Sequence, residues 1–117
     1  MSSTTYVTTV PNIDSDELTA ELRSGLDEAI GLLREHGERH WLSWAEGCQR
    51  ELDAYDSAVL DHILGAYGGM GSFNDLLILS SNGHLIEPER EAVVNDRLWH
   101  LRSAIWTTAR ALQHKMQ

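Results

Sequence analysis

Four of the nine glycines of the chain fall within residues 65–75, GAYGGMGSFND. Glycine-rich turns that free backbone N–H groups at the start of a helix can bind phosphate. A Walker-type phosphate loop also needs a lysine, and no Lys or Arg lies between residues 67 and 89. Asp75 would add a carboxylate to the first turn of the next helix, where it repels an anion. The stretch therefore predicts a tight corner between two helices.

The same corner is the candidate binding site of the chain. Its glycines would hold polar and aromatic side chains on a fixed frame, as binding loops do. The candidate ligand-binding residues are Tyr67, Met70, Ser72, Asn74, Asp75 and His84. A His84–Asp75 pair would suit acid/base chemistry. The alternative is that Tyr67 and Phe73 fold inward and close the end of a helical bundle, and no catalytic residue is assigned.

Two further features could be sites of chemistry. His36 and His40 have the spacing of two metal ligands on one helical face, but Gly37 between them favours a helix end, and no third ligand is indicated. Cys48 lies among apolar positions and has no histidine at a spacing that would activate it, so a buried thiol is expected. The sequence therefore predicts no metal site and no cofactor.

Charge is concentrated in the first part of the chain. Residues 1–66 contain thirteen acidic residues and four arginines, a net charge of −9, whereas residues 67–117 contain five acids and five bases. Nucleic-acid binding needs clustered Lys and Arg, so nucleic acid is not an expected partner. An acidic surface attracts a basic protein. Solubility alone is the alternative explanation of the charge.

Length and composition indicate one domain. A chain of 117 residues with 42% apolar and 23% charged residues can bury a core of its own. The single cysteine excludes an internal disulfide, and neither a secretory signal nor a membrane span is indicated, so a cytoplasmic location is expected. Residues 1–13, uncharged and rich in Thr and Val, predict an extended or disordered arm before a helical domain at 14–117.

Periodicity predicts an all-α bundle of about four helices, two long and two short. The first helix would begin near Asp14 or Ser15 and end before Gly37, and the second would run from about Glu38 to Ala54. A short third helix precedes the glycine corner. Pro88 would sit in the first turn of a long last helix.

The segment between the corner and Pro88 allows two interpretations. Ser72 and Asp75 can form a capping box that opens a helical turn through residues 76–79. Alternatively, residues 76–87 form a small β-hairpin about Asn82–Gly83.

Four tryptophans in 117 residues is a high number. Trp41 and Trp44 share one face of the second helix, and Trp99 and Trp106 lie seven residues apart on the last. The expectation is a Trp-rich core between these two helices, and indole left at the surface would indicate a partner. Homodimerisation through the first or last helix would bury such excess apolar surface.

The run from Trp41 through Leu112 resembles a family of small bacterial proteins of unknown function. The resemblance lies in Trp41-Leu42, in the Gly-Gly-Met-Gly-Ser-Phe-Asn-Asp-Leu run at 68–76 and in Asn82-Gly83-His84, followed by a helix with Asp96, Leu98 and Leu101. It implies no activity and no catalytic residue.

Two functional hypotheses follow from these observations. The first is a non-enzymatic, acidic, protein-binding module, for example an immunity protein that neutralises a basic toxin nuclease. The second is an enzyme or small-ligand-binding domain with its site at the 67–84 corner.

Overall fold

The computed structural model describes the backbone of residues 3–116 and the side chains of residues 15–116. Four α-helices account for most of this part: α1 (Ser3–Glu35), α2 (Arg39–Asp53), α3 (Ala58–Gly65) and α4 (Glu91–Lys115). Short 3₁₀ turns lie at Phe73–Asp75, Ser80–Asn82 and Pro88–Arg90. The described residues contain no strand, which confirms the all-α bundle and shows that the hairpin alternative at 76–87 is wrong.

Helix α1 begins at Ser3, earlier than the predicted start at Asp14 or Ser15. Its backbone is helical through Pro11, where the sequence predicted an extended or disordered arm. A helix pairs its own N–H and C=O groups, whereas an extended segment without a neighbouring strand leaves them unpaired. Whether residues 1–13 form an arm distinct from the domain stays a prediction, because the side chains before Ser15 lie outside the described residues.

The end of α1 is where the sequence predicted it. Gly37 has φ of 72°, its N–H donates to the Arg34 carbonyl, and the Glu38 N–H donates to the Leu33 carbonyl. This is the Schellman arrangement that ends a helix on glycine. The Glu38 side chain then accepts from the Trp41 N–H at 3.0 Å and caps α2.

Helices α3 and α4 begin at residues whose chemistry suits a helix start. The Asp56 carboxylate accepts from the Ala58 N–H at 3.0 Å at the start of α3. Pro88 opens a 3₁₀ turn that continues directly into α4. Proline suits this place because the first N–H groups of a helix have no partner within the helix.

The core has two ends, which we call the helix-only end and the segment-closed end. The helix-only end is built from buried residues of the four helices alone: Leu22, Leu26, Ala29, Cys48, Leu52, Val59, Leu60, Ile63, Ile105, Ala109 and Leu112. Helix α1 approaches α4 closely at Gly25. A Cβ added to this glycine would lie 3.0 Å from the Ile105 side chain.

The segment-closed end adds Phe73 and Ile78 to buried residues of α1, α2 and α4. These two side chains come from residues 66–90, the connecting segment between α3 and α4. Both are fully buried, so the segment contributes two side chains to the core although most of its residues are exposed.

Candidate functional site

The aromatic residues of the glycine corner are folded inward. The Phe73 ring lies between Trp41 and Trp44, with ring centroids 5.1 and 4.8 Å away, and meets the Tyr67 ring edge-on at 5.7 Å. The Tyr67 hydroxyl donates to the Arg102 carbonyl at 2.7 Å. Burial raises the pKa of Tyr67, so the phenol remains a hydrogen-bond donor at neutral pH. Tyr67 and Phe73 therefore close the end of the bundle.

Residues 76–79 are extended and run between the helices without a partner strand. The Asn95 side chain makes the two hydrogen bonds that a neighbouring strand would make to Ile78. Its Oδ1 accepts from the Ile78 N–H at 2.7 Å, and its Nδ2 donates to the Ile78 carbonyl at 2.9 Å. The buried Arg102 donates to the Leu76 carbonyl at 2.7 Å, and Glu91 accepts from Ser80. Buried backbone groups need such partners. These bonds hold residues 76–79 extended, so the predicted helical turn there is also wrong.

His84 joins the connecting segment to the start of α2. Its Nδ1 accepts from the Leu79 N–H at 3.0 Å, which places the proton on Nε2, and Nε2 donates to Glu38 Oε1 at 2.9 Å. Burial by itself would raise the pKa of Glu38, but the hydrogen bonds from His84 and the Trp41 N–H, with the electrostatic attraction of the His84 and His40 imidazoles, lower it overall. Both ring nitrogens of His84 are thus engaged, and neither is free to act as a base.

The glycine corner binds a carboxylate of its own. The Gly71 N–H donates to Asp75 Oδ2 at 2.9 Å, and Gly69 and Gly71 have φ of 83° and 78°. Such positive φ values are strained for residues with a Cβ. Asp75 thus occupies the amide that a phosphate would use.

Five of the six candidate site residues divide between two concavities. Tyr67 and Asn74 line one of about 320 Å³ together with Ser103, Trp106 and Thr107 of α4. Ser72, Asp75 and His84 line another of about 300 Å³, together with Glu38 and Trp41. Met70, 99% exposed, lines neither. The residues are close in sequence, but the inward turn of Phe73 separates them into two groups.

Other residues that could bind a metal or act as a nucleophile lie apart from this corner. His36 is buried and its Nδ1 donates to the Leu85 carbonyl at 2.8 Å, whereas His40 is exposed with its ring edge-on to Trp41. In the described part of the chain, no three His, Cys, Asp or Glu side chains are grouped to hold a metal. Burial, with a smaller contribution from Glu51, raises the pKa of Cys48 to about 12, so the thiol stays protonated at neutral pH.

Glu38, Asn95 and Arg102 position the connecting segment, and the sequence analysis did not assign these roles. A signal was present for two of them. Asn95 and Arg102 each follow a buried apolar residue, Val94 or Leu101, and lie at the edge of the buried face of α4. A polar residue on a buried helical face usually has a hydrogen-bond partner, but its identity does not follow from spacing.

The expected Trp-rich core between α2 and α4 forms only on the α2 side. Trp41 and Trp44 pack against the segment-closed end. Trp99 and Trp106 of α4 remain 57% and 41% exposed. Each lies about 100° around the helix from its buried neighbour, Leu98 or Ile105, so it points away from the bundle.

Helix α1 presents a row of carboxylates to solvent. The exposed residues Glu17, Glu21, Glu28 and Glu35 recur at spacings of four and seven and so lie along one face. We call these four residues the acidic ridge. Glu28 pairs with Arg97 at 3.0 Å, and Glu35 lies 3.7 Å from His36. Glu17 and Glu21 have no ion pair within residues 15–116.

Comparison with known families gives one match. Residues 34–87, a little under half of the chain, match a family model described as a domain of unknown function (DUF6966). The match begins in the last turn of α1 and ends just before Pro88, so it contains α2, α3 and nearly all of the connecting segment. It agrees with the resemblance to a family of unknown function and brings no activity with it. No curated protein and no solved structure matches the chain.

One property of the helices bears on location. None of the four described helices combines the length and the apolar character that a bilayer span requires.

Proposed function

We propose that this protein is a non-enzymatic binding module that recognises a basic protein through the acidic ridge of α1. The observation that carries the proposal is the exposure of Glu17 and Glu21 without a compensating cation in the described structure. Charges arranged on one face steer an oppositely charged partner and increase its association rate. The ridge spans the 19 residues from Glu17 to Glu35, or about 27 Å along the helix, a length suited to a protein surface.

The hydrogen bonding at the glycine corner supports a binding module over an enzyme. His84, Asp75, Asn95 and Arg102 are the side chains near the corner best suited to chemistry. Each already has a hydrogen bond within the chain. His84 is bonded to Leu79 and Glu38, and Asp75 to Gly71. Asn95 is bonded to Ile78, and Arg102 to Leu76. A group that holds the fold in this way cannot change its proton or partner without loosening the segment.

The experiment uses the proteins encoded by the genes beside this one. Each is purified and titrated against this chain by isothermal titration calorimetry at two salt concentrations. The test variant is Glu17→Gln with Glu21→Gln, which removes two charges at nearly constant size and helix propensity. The matched control is Glu87→Gln with Glu89→Gln, two exposed glutamates outside α1.

We expect a basic neighbour-encoded protein to bind and the α1 variant to bind it about tenfold more weakly, with a smaller dependence on salt. The control pair is expected to change the dissociation constant little. Equal affinity of the α1 variant and the wild type would contradict recognition through the ridge.

The immunity interpretation is the finer form of this proposal. If the partner arrests growth when expressed alone, co-expression of the wild-type chain should restore growth. The α1 variant should restore it only at a higher expression level. If the partner binds but is not toxic, the result would support the binding function and contradict the immunity role.

A second candidate is small-ligand binding in the concavity of Ser72, Asp75 and His84. It is favoured because the Trp41 indole and two carboxylates, Glu38 and Asp75, line the same space. Such walls suit an organic cation. An NMR titration with arginine and with agmatine tests this candidate: we expect the Trp41 indole N–H signal to shift in the wild type and to shift less in Asp75→Asn. An unchanged spectrum at millimolar ligand would exclude the candidate for these two cations.

A further inference from the structure

The outward face of α4 carries a second regular pattern of residues. Ala92, Asp96, Trp99, Ser103, Trp106 and Arg110 follow one another at spacings of four, three, four, three and four. We call these six residues the outer stripe. Alternating spacings of four and three are those of residues along a seam between two packed helices. The buried face of α4 has the same pattern in Val94, Leu98, Leu101, Ile105, Thr108 and Leu112, and that seam is already filled by the bundle.

The outer stripe lies at the surface along its whole length. Ser103 is partly buried and the other five residues are exposed, among them the two indoles. Trp106 stands between two concavities. One of about 320 Å³ lies toward Tyr67 and Asn74, and one of about 480 Å³ lies toward Arg110 and His114. Large exposed indoles beside open concavities are typical of an interaction surface.

We propose that the outer stripe is the interface of an antiparallel homodimer whose two-fold axis passes beside Ser103. Asp96 and Arg110 lie seven residues before and seven residues after Ser103, about two helical turns in each direction. In an antiparallel pair the Asp96 carboxylate of one copy therefore faces the Arg110 guanidinium of the other, and the contact occurs twice.

The aromatic residues have nearly the same symmetry. Trp99 lies four residues before Ser103 and Trp106 three residues after it. The antiparallel arrangement places each Trp99 beside the second copy's Trp106, at the distance where aromatic rings attract each other. The small Ser103 pair at the axis allows the two helices to approach to about 8–10 Å.

Charge favours a second copy of the chain as the occupant and favours this orientation. A parallel arrangement would set Asp96 against Asp96 and Arg110 against Arg110, which is repulsive. The first 66 residues carry the whole net charge of −9, so two copies repel each other along that part of the chain. Helix α4 contains two acids and four Arg or Lys residues and has no such excess of negative charge.

Existing contacts of the two charged residues leave them accessible. Asp96 lies 3.7 Å from His100 in an exposed pair, and Arg110 donates to Gln113 at 3.0 Å on the same helix. Both contacts are local and solvent-exposed, so little free energy is lost when they are exchanged for contacts across an interface.

The first test measures molar mass by sedimentation equilibrium from micromolar to millimolar protein. We expect the wild type to approach twice the chain mass of 13.1 kDa. Ser103→Glu places two carboxylates at the axis and should weaken dimerisation about tenfold or more. Ala104→Glu is the matched control: it adds the same charge to an exposed neighbour outside the stripe and should have little effect.

The second test is a charge exchange, with helix content and thermal unfolding of each variant measured by circular dichroism. Asp96→Arg alone opposes two arginines and Arg110→Asp alone opposes two aspartates, so each should weaken the dimer. The two substitutions together restore opposite charges and should restore the dimer. A role in folding alone would not produce this recovery.

Three results would overturn the inference. They are a wild type that stays monomeric at millimolar concentration, a dimer that Ser103→Glu does not weaken, and a double variant no more dimeric than the single ones. A monomeric wild type would indicate that the exposed indoles contact a different protein and not a second copy of this chain. The acidic ridge is unchanged in all these variants, so this test and that of the proposed function fail independently.

Discussion

The two ends of the core reach the same degree of burial by different means. The helix-only end packs aliphatic side chains of four helices, whose backbone groups are paired within each helix. The segment-closed end is completed by residues 66–90, in which residues 76–79 form no helix and have no partner strand. Side chains of Asn95, Arg102 and Glu91 bond that backbone instead. An irregular segment can therefore enter a core when neighbouring helices supply the missing hydrogen bonds.

The largest expected effect at the segment-closed end comes from Phe73→Ala. Phe73 is fully buried against Trp41, Trp44 and Tyr67, so the cavity should lower the free energy of unfolding by about 3–5 kcal/mol, as measured in urea. Leu26→Ala is the control at the helix-only end, with an expected loss of about 2–5 kcal/mol. Phe73→Ala should alter the near-ultraviolet circular dichroism of the tryptophans more than Leu26→Ala does, because Phe73 contacts both Trp41 and Trp44, whereas only Trp44 packs against the helix-only end. An equal spectral change in Leu26→Ala would show that the two ends are not separate.

The next effect concerns the buried guanidinium of Arg102. Arg102→Met keeps most of the side-chain volume but leaves the Leu76 carbonyl without its donor. We expect a loss of about 2–3 kcal/mol in the free energy of unfolding. Arg97→Met removes an exposed pair with Glu28 and should cost under about 1 kcal/mol. Equal losses for the two variants would mean that the buried bonds of the segment contribute no more than a surface pair.

A smaller effect is expected for Asn95→Asp. The aspartate can still accept from the Ile78 N–H but cannot donate to the carbonyls of Ile78 and Glu91. The free energy of unfolding should fall by about 1–2 kcal/mol, and the Ile78 amide should exchange faster with solvent. Asn74→Asp makes the same change at an exposed position and should leave both quantities nearly unchanged. Unaltered exchange at Ile78 in Asn95→Asp would contradict the role of Asn95 as a substitute strand.

The smallest effect is a dependence on pH at the Glu38–His84 contact. Because the pKa of Glu38 is lowered in the folded state, its ionised form stabilises the fold above the ordinary pKa of glutamate. That contribution is lost as pH falls through the lowered pKa. Glu38→Gln should therefore be less stable than the wild type at neutral pH, and the difference should shrink in acid.

Urea unfolding from neutral pH into the acid range measures this difference. Glu21→Gln, at an exposed position without an ion pair in the described structure, is the control and should show no such convergence. A difference between Glu38→Gln and the wild type that is constant across this pH range would show that the contact is not linked to ionisation.

The sequence predicted the helices better than it predicted the connecting segment. The helices, the Gly37 stop and the start of α4 at Pro88 were all predicted, because each depends on residues within one or two turns of the chain. The prediction failed at residues 76–79, where both the helical turn and the hairpin were wrong. Their conformation depends on Asn95 and Arg102, which are distant in sequence and become neighbours only when α4 packs beside the segment.

The candidate site was predicted less well than the fold. The glycine stretch was predicted as a corner between two helices, but only a single 3₁₀ turn follows its glycines, and the Gly71 N–H donates to Asp75 within the corner. Five of its six candidate residues nevertheless divide between two concavities, because Phe73 turns inward between them, and Met70 lines neither. The exposure of Trp99 and Trp106 was also unexpected, since the sequence predicted a Trp-rich core between α2 and α4.

By itself, the sequence determined the helical class, most helix ends and the uneven distribution of charge. These follow from periodicity, capping residues and a count of ionisable groups, all of which act locally along the chain. Only the tertiary structure decided which polar groups of the corner form hydrogen bonds within the chain and which face of α4 remains exposed. Both depend on contacts between residues far apart in sequence, where one buried ring or one buried amide fixes the path of the chain around it.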